Sequence, residues 1–344
     1  MQRACRATLI ALLCILTSLV SKQNAHAHGS GSGCYPKILT FTVDNANYDP
    51  QAPGDTKPNI YYTIRNKGTG YCNNLKVYFC TDKNYQINGS EKLQYSVRNS
   101  GGANVLNTGL AAGCPYYSHT LGVKAIQELD LPPGGSSSSM SNFELVIPGM
   151  QFLTAGDYNG TTLQMAVYNK YGKKKDSSSE TPSTNIKPSC FLPSLPTPGF
   201  STNAVYSPTG GLNGGAVSFN QAIDKNTARL KQSTIHLLFP GARCNYRAYL
   251  SIKSVRGGMV NSENLQQVSS FLNKIDYTAS ATFCGISTQF NTVGTGLSGS
   301  SKQCSITNAA QSDLNLTIQT IPGNTPLLAG TYNDTLVIKI GSPL

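Results

Sequence analysis

The sequence predicts an all-β protein built of two β-sandwiches in tandem, and three observations predict it. Short runs of alternating apolar and polar residues, separated by turn residues, recur along the whole chain without intervening long helical patterns. The cysteines beyond the N-terminal leader fall into two groups of four. A glycine–tyrosine turn followed by an alternating run occurs once in each half.

The leader comes first. Arg3 and Arg6 precede the apolar stretch Ala7–Val20, which only Thr8, Thr17 and Ser18 interrupt, and Ala25-His26-Ala27 is an A-x-A cleavage pattern. Residues 1–27 therefore read as a secretory signal peptide, with the exported chain starting at His28. The apolar stretch falls short of the ~20 residues a spanning helix needs. Charged residues make up 12% of the sequence, about half the usual share, so Gly, Ser, Thr, Asn and Tyr must fill much of the surface. Of the formal charge of +11, Arg3, Arg6 and Lys22 leave with the signal, so +8 remains. That balance favours acidic partners. No basic helix and no aromatic–basic RNA-binding motif accompanies it, which argues against nucleic acid.

Cys34, Cys72, Cys80 and Cys114 form the first cysteine group; Cys190, Cys244, Cys284 and Cys304 form the second. An even set in an exported chain reads as disulfides. The absence of C-x-x-C and C-x-x-H spacing argues against zinc, and no other metal or cofactor is expected. Each group allows three connectivities. Pairing in sequence order is the expectation: Cys34–Cys72, Cys80–Cys114, Cys190–Cys244 and Cys284–Cys304. Between the groups lies Tyr171–Pro188, with three lysines, a Ser/Thr run and Pro182, which reads as a connecting segment. The expected boundary falls near residue 187, giving domains 28–187 and 188–344.

Strands are expected at Ile38–Val43, Ile60–Ile64, Leu75–Cys80, Asn142–Ile147 and Leu163–Tyr168 in the first domain. In the second they are expected at Ser233–Phe239, Tyr246–Ile252, Asp276–Phe283, Leu314–Ile318 and Thr335–Ile340. Only Ser262–Ile275 has helical spacing, through Leu265, Val268, Leu272 and Ile275. The repeat pairs Leu153-Thr154-Ala155-Gly156-Asp157-Tyr158-Asn159 with Leu327-Leu328-Ala329-Gly330-Thr331-Tyr332-Asn333. An inward tyrosine after a glycine turn is how the tyrosine corner enters a sandwich strand.

Enzyme signatures are missing or out of context. There is no G-x-S-x-G, P-loop or H-E-x-x-H, and the G-x-G-x-x-G at Gly294, Gly296 and Gly299 opens no helix. Beyond the leader, His28 lies at the terminus, His119 in a loop and His236 within an alternating strand. The scattered acids form no evident pair. A binding protein rather than an enzyme is expected, with no catalytic residue.

The C-terminal segment Ala329–Ile340 carries G-x-Y-x-D-T-L followed by apolar alternation. It resembles the closing strand of the spore coat U family, the subunits of archaic (Csu-type) chaperone–usher pili. The resemblance is strongest over Cys190–Leu344 and looser over the first domain. It implies immunoglobulin-like sandwiches, the second lacking its last strand and completed by donor-strand complementation. Leu336, Ile338 and Ile340 would then line an open groove. The implied partners are a periplasmic chaperone, an outer-membrane usher and an adjacent pilin that donates the strand. Only His28-Gly29-Ser30-Gly31-Ser32-Gly33 precedes Cys34, a polar segment unlike the apolar extension that stalk subunits donate. A tip adhesin at the cell surface is therefore implied, attaching cells to an abiotic or host surface and supporting biofilm formation. A structural subunit without a receptor, or a sugar-binding fimbrial lectin, is the alternative.

In such a sandwich the B–C and F–G loops share a pole. With strand B at Ile60–Ile64, C at Leu75–Cys80 and F at Leu163–Tyr168, that pole carries Tyr71, Tyr171, Lys173, Lys174 and Lys175. Leu106, Leu110, Tyr116 and Tyr117 form a second candidate surface whose pole the sequence leaves open. The ligand is also left open.

Overall fold

The computed structural model describes residues 33–111, 113–120, 125–193, 196–208, 214–263, 270–294, 300–303 and 309–341. Residues 1–27 (the expected leader), Leu265 and Val268 of the expected helix, and Cys304 lie outside them.

The main strands of the first half are β1 (Pro36–Val43), β2 (Asn59–Asn66), β3 (Cys72–Cys80), β4 (Ser96–Asn99), β5 (Ser136–Val146), β6 (Leu163–Tyr168) and β7 (Lys174–Glu180). One antiparallel sheet runs β1-β2-β5-β4. The facing sheet runs β7-β6-β3, with Leu106–Asn107 and Gln127–Leu131 on the outer edge of β3. Alternation directs the core: Ile60, Tyr62 and Ile64 of β2 meet Leu75, Val77 and Phe79 of β3 and Leu163, Met165 and Val167 of β6. The outer face of β3 and β6 is apolar too, at Tyr78, Cys80, Ala166 and Tyr168. The segment bearing Leu110 and Cys114 covers it.

The second half repeats the plan with β8 (Thr197–Thr202), β9 (Thr234–Cys244), β10 (Tyr249–Ser254), β11 (Tyr277–Phe283), β12 (Ala310–Thr320) and β13 (Leu336–Gly341). One sheet runs β8-β9-β12-β11. Opposite it, β10 sits between Ser300–Gln303 and β13. Ile235, Leu237, Leu250, Ile252, Ala279, Phe283, Leu314 and Leu316 form its separate core.

The repeated turn is the same device in both halves. Tyr158 Oη donates to Thr154 O at 3.0 Å, and Tyr332 Oη donates to Leu328 O at 2.7 Å, each four residues back. Gly156 and Gly330 sit at φ +140° and +141°, where a Cβ would meet Asn88 Nδ2 at 2.8 Å and Asn261 Nδ2 at 2.6 Å. Only glycine fits there.

Two expectations are corrected. Tyr171–Pro188 is not a bare connection: it contains β7, paired along its length with β6, and Thr184–Ile186, paired with Gly156–Tyr158 and Ala46–Tyr48. The sequence Lys-Lys-Asp-Ser-Ser-Ser-Glu hides this strand because it has no apolar face. Backbone pairing holds it, together with Asp176, which accepts from Ile38 N of β1 at 2.8 Å and pairs with Lys37 Nζ at 3.1 Å. Residues 270–275 are a turn and a short strand, Lys274–Ile275, rather than helix. The Leu272 carbonyl accepts from Leu328 N (2.9 Å) and Tyr332 Oη (2.8 Å), and the Asn273 carbonyl accepts from Asn261 N at 2.9 Å. These cross-chain partners replace the i→i+4 bonds of a helix, so the helical spacing of Leu272 and Ile275 records loop anchors.

Cys34–Cys72, Cys80–Cys114 and Cys190–Cys244 are disulfide-bonded in the expected order. The halves meet through Asn245, which accepts from Ala155 N on its carbonyl (2.6 Å) and donates from Nδ2 to Lys187 O (2.8 Å). Thr154 Oγ1 accepts from Ala309 N at 2.7 Å. The Arg243 guanidinium lies between the Phe152 and Phe191 rings, 5.6 and 5.1 Å from their centroids.

Candidate functional sites: an open groove and a tyrosine–lysine pole

The second half contains an open groove of about 680 Å³. Its floor is Leu237 and Phe239 of β9, Leu316 and Ile318 of β12, and Tyr277 of β11; Leu336 and Ile338 of β13 form one wall. The hairpin Val205–Pro208/Gly215–Ser218 contributes Tyr206 and Val217 at the mouth. Ile340, the third residue expected in the groove, packs half-buried against the same core. Among the described residues β13 is hydrogen-bonded into a sheet along one edge, to β10. Leu250 and Ile252 of β10 are fully buried, whereas Leu336, Ile338 and Ile340 remain half-buried.

The G-x-Y-x-D-T-L motif explains how β13 reaches this position. Gly330 makes the turn and Tyr332 anchors it. Asp334 then accepts from Arg256 N at 2.9 Å, from Tyr277 Oη at 2.7 Å and from Ser254 Oγ. Burial, with Asp334 beside it, pushes the Tyr277 phenol well above its ordinary value, so it stays a neutral donor. Leu336 is the first groove residue beyond this clamp.

At the far end of the first half, three loops converge. The β2–β3 loop carries Tyr71. Buried Asn66 holds it by donating to Gly70 O (2.7 Å) and accepting from Gly68 N (2.9 Å). The β6–β7 turn carries Tyr171, and Asn169 Oδ1 closes it by accepting from Tyr171 N (3.1 Å) and Lys173 N (2.9 Å). The third loop, Pro115–Thr120, docks on that turn: Ser118 N donates to Gly172 O (2.7 Å) and Lys174 N to Tyr116 O (2.8 Å). β2 and β6 both run from the junction with the second half toward these loops, so the pole is at the opposite end of the sandwich.

Tyr71, Tyr116, Tyr117, Tyr171, Lys173 and Lys175 are exposed there. Lys170 Nζ lies 5.1 Å from the Tyr171 ring centroid and Lys173 Nζ 5.5 Å from that of Tyr116. A notch of about 40 Å³ between Tyr71 and Tyr171 is lined by Asn73, Asn169, Lys170 and Lys175, with Cys34 and Leu75. The remaining expected surface residues face elsewhere. Lys174 Nζ is tied to Cys114 O at 2.8 Å. Leu106 pairs with Phe79 and packs half-buried against the main core, whereas Leu110, also half-buried, covers Tyr78 and Tyr168 because the outer face of β3 and β6 needs an apolar cover. Asn66, Asn169 and Lys170 were missed; the Asn-Lys-Tyr-Gly turn signal was the one available clue. His236 Nδ1 meets Thr317 Oγ1 at 2.9 Å on exposed sheet surface, away from either site.

No family model matches the chain, and no characterised protein matches it in sequence. Among solved structures it is similar to the chaperone–tip adhesin pre-assembly complex of archaic Csu pili from Acinetobacter baumannii, at 13% identity and a TM-score of 0.35 over 88% of this chain and 100% of that one. It is also similar to the CupB6 tip adhesin from Pseudomonas aeruginosa, at 10% identity and a TM-score of 0.30 over 89% of this chain and 96% of that one. A chaperone–tip adhesin complex of CFA/I fimbriae gives 12% identity and a TM-score of 0.30, covering 90% of this chain and 84% of that one. At this depth of likeness, function has to be argued from the chain's own strands.

Proposed function

We propose that this chain is a two-domain tip adhesin of a chaperone–usher pilus. Residues 28–187 form the binding domain and residues 188–344 a pilin domain whose groove takes a β-strand from a neighbouring protein. The observation that carries this reading is the apolar groove beside β13, at the place where the first half holds its own β7. Leu336 and Ile338 lie half-buried along it, next to a strand edge that faces the groove. An exposed edge with apolar side chains is an assembly or aggregation surface, and an added strand satisfies both the backbone and the side chains. A periplasmic chaperone supplies that strand first; through the outer-membrane usher, the adjacent pilin replaces it. The leader directs the chain to the periplasm, and the fibre carries it to the cell surface.

In this reading attachment is the work of the pole, which points away from the second half and exposes four tyrosines. Tyr gives large contact area at low entropic cost. The function is binding, without catalysis.

The test is a donor fusion. A strand of alternating apolar residues joined after Leu344 by a flexible linker shields three half-exposed side chains, worth about 1 kcal/mol each. The melting temperature is expected to rise by about 6–12 °C, with slowed amide exchange along β13. An unchanged melting temperature together with unchanged exchange at β13 would overturn the groove as an acceptor.

A further inference from the structure

The notch at the pole has a chemistry more specific than adhesion. We infer that it binds the carboxylate of an acidic polysaccharide, with Lys170 and Lys175 facing the charge and Tyr71 and Tyr171 stacking on the sugar rings. The inference rests on the pole being the attaching surface.

Size comes first. At about 40 Å³ the notch holds a group of a few heavy atoms, since about 10–15 Å³ of such volume accommodates one water. A carboxylate is of that order and a whole sugar ring is not. Charge comes second. The ion pairs among the described residues engage Lys37, Lys76, Arg98, Lys231 and Lys274. Asp176, the acid that follows Lys175, is taken by Lys37 and the Ile38 amide. Among the described residues, Lys170 and Lys175 therefore bring two cations to the notch without an ion pair to a carboxylate.

The walls decide the rest. Tyr71 and Tyr171 are 58% and 70% exposed, so both offer ring surface on either side of the notch. The Asn73 and Asn169 amides line it between them and can hydrogen-bond hydroxyls. A bare polyanion has no use for the rings. A purely apolar surface would have to desolvate the lysines without compensation. A sugar ring bearing a carboxylate satisfies all three kinds of group at once. Tyr116, with Lys173 above it, stands on the loop docked against the same turn and offers a second ring–cation pair. That duplication suits a repeating polymer better than a single sugar.

The experiment compares three polymers on the full chain: polygalacturonate, its fully methyl-esterified form (same rings, no charge) and polyacrylate (charge, no rings). Polygalacturonate is expected to bind at least about tenfold tighter than either control, a difference of about 1.4 kcal/mol. Lys170→Gln with Lys175→Gln, and separately Tyr171→Ala, should each remove about tenfold of that affinity. Lys170→Arg with Lys175→Arg should retain it, and Lys231→Gln, outside the first half, should leave it unchanged; circular dichroism checks that each variant folds. Equal binding of the three polymers overturns the ligand class. Undiminished polygalacturonate binding by folded Gln and Ala variants overturns the site. If polymer discrimination is absent but cells carrying the variants fail to attach, the acidic saccharide falls and the adhesive pole stands. If the variants attach normally, the adhesive pole falls and this inference with it.

Discussion

Strands β6 and β13 leave the same glycine–tyrosine turn and enter the same position in their sheets, yet their surroundings differ. β6 lies between β3 and β7, and its Leu163, Met165 and Val167 are completely buried. β13 has β10 on one side and the groove on the other, and its Leu336, Ile338 and Ile340 are half-buried. The strand that makes the difference, β7, has no apolar side chain. Its contribution is to pair along the edge of β6 and, through Asp176, to join β1, closing the sandwich between the first and last strands. The second half shows what the same architecture presents when that place is open.

The most severe way to break the comparison is to make the first half resemble the second. Replacing Lys174–Glu180 by a flexible Gly/Ser linker leaves β6 paired on one side only. The first half should lose several kcal/mol, enough to abolish its cooperative melting at ordinary stabilities of ~5–15 kcal/mol. Scanning calorimetry reads this directly, and an unchanged transition would mean that β7 is not what closes the sandwich.

Next come the bridges. Cys80→Ala with Cys114→Ala opens a loop of 34 residues, for which the chain-entropy cost is roughly 3–4 kcal/mol. Because Cys114 anchors the cover over Tyr78 and Tyr168, the Pro115–Thr120 loop should lose protection from amide exchange while the groove does not.

The tyrosine corners separate the halves more finely. Tyr332→Phe removes bonds to two backbone carbonyls and should cost about 1–2 kcal/mol. Tyr158→Phe also removes a donor to the Glu91 carboxylate, so about 2–3 kcal/mol is expected. Equal losses in denaturant melts would mean that Glu91 adds nothing to the first corner.

The smallest effect is in pH. Burial pulls the Glu91 carboxyl up, but bonds from Tyr158 Oη and from Thr154 N and Oγ1 outweigh it and hold the group below its ordinary 4.5. A carboxyl depressed in the folded state contributes its stability above the unfolded value and loses it as pH falls through the folded value. The first half should therefore destabilise below about pH 4.5, and Glu91→Gln should flatten that part of the profile. The second corner, where Tyr332 donates to two carbonyls, should show no counterpart. A Glu91→Gln profile parallel to that of the native chain would remove the carboxylate from the account.

The sequence by itself determined the all-β class, the principal strands and the repeated corner. Alternation, turn residues and a glycine at φ near +140° are local demands, and a strand such as Leu163–Tyr168 reads off without reference to its neighbours. The motif before β13 likewise placed Leu336, Ile338 and Ile340 on the strand that borders the groove. Tertiary structure decided what local pattern does not encode. Lys174–Glu180 reads as a polar connection and becomes a strand because β6 offers a free ladder and Lys37 a charge. Leu106 and Leu110 read as surface and turn inward, Leu106 onto the main core beside β3 and Leu110 because Tyr78 and Tyr168 leave an apolar outer face uncovered. Leu272 and Ile275 carry helical spacing and instead anchor a loop to Leu327 and Tyr332. Asn169 and Lys170 join the pole because a turn closed by one asparagine side chain brings them beside Tyr71, nearly a hundred residues earlier. In each case the partner is distant in the chain, and the energy that fixes the residue belongs to that contact.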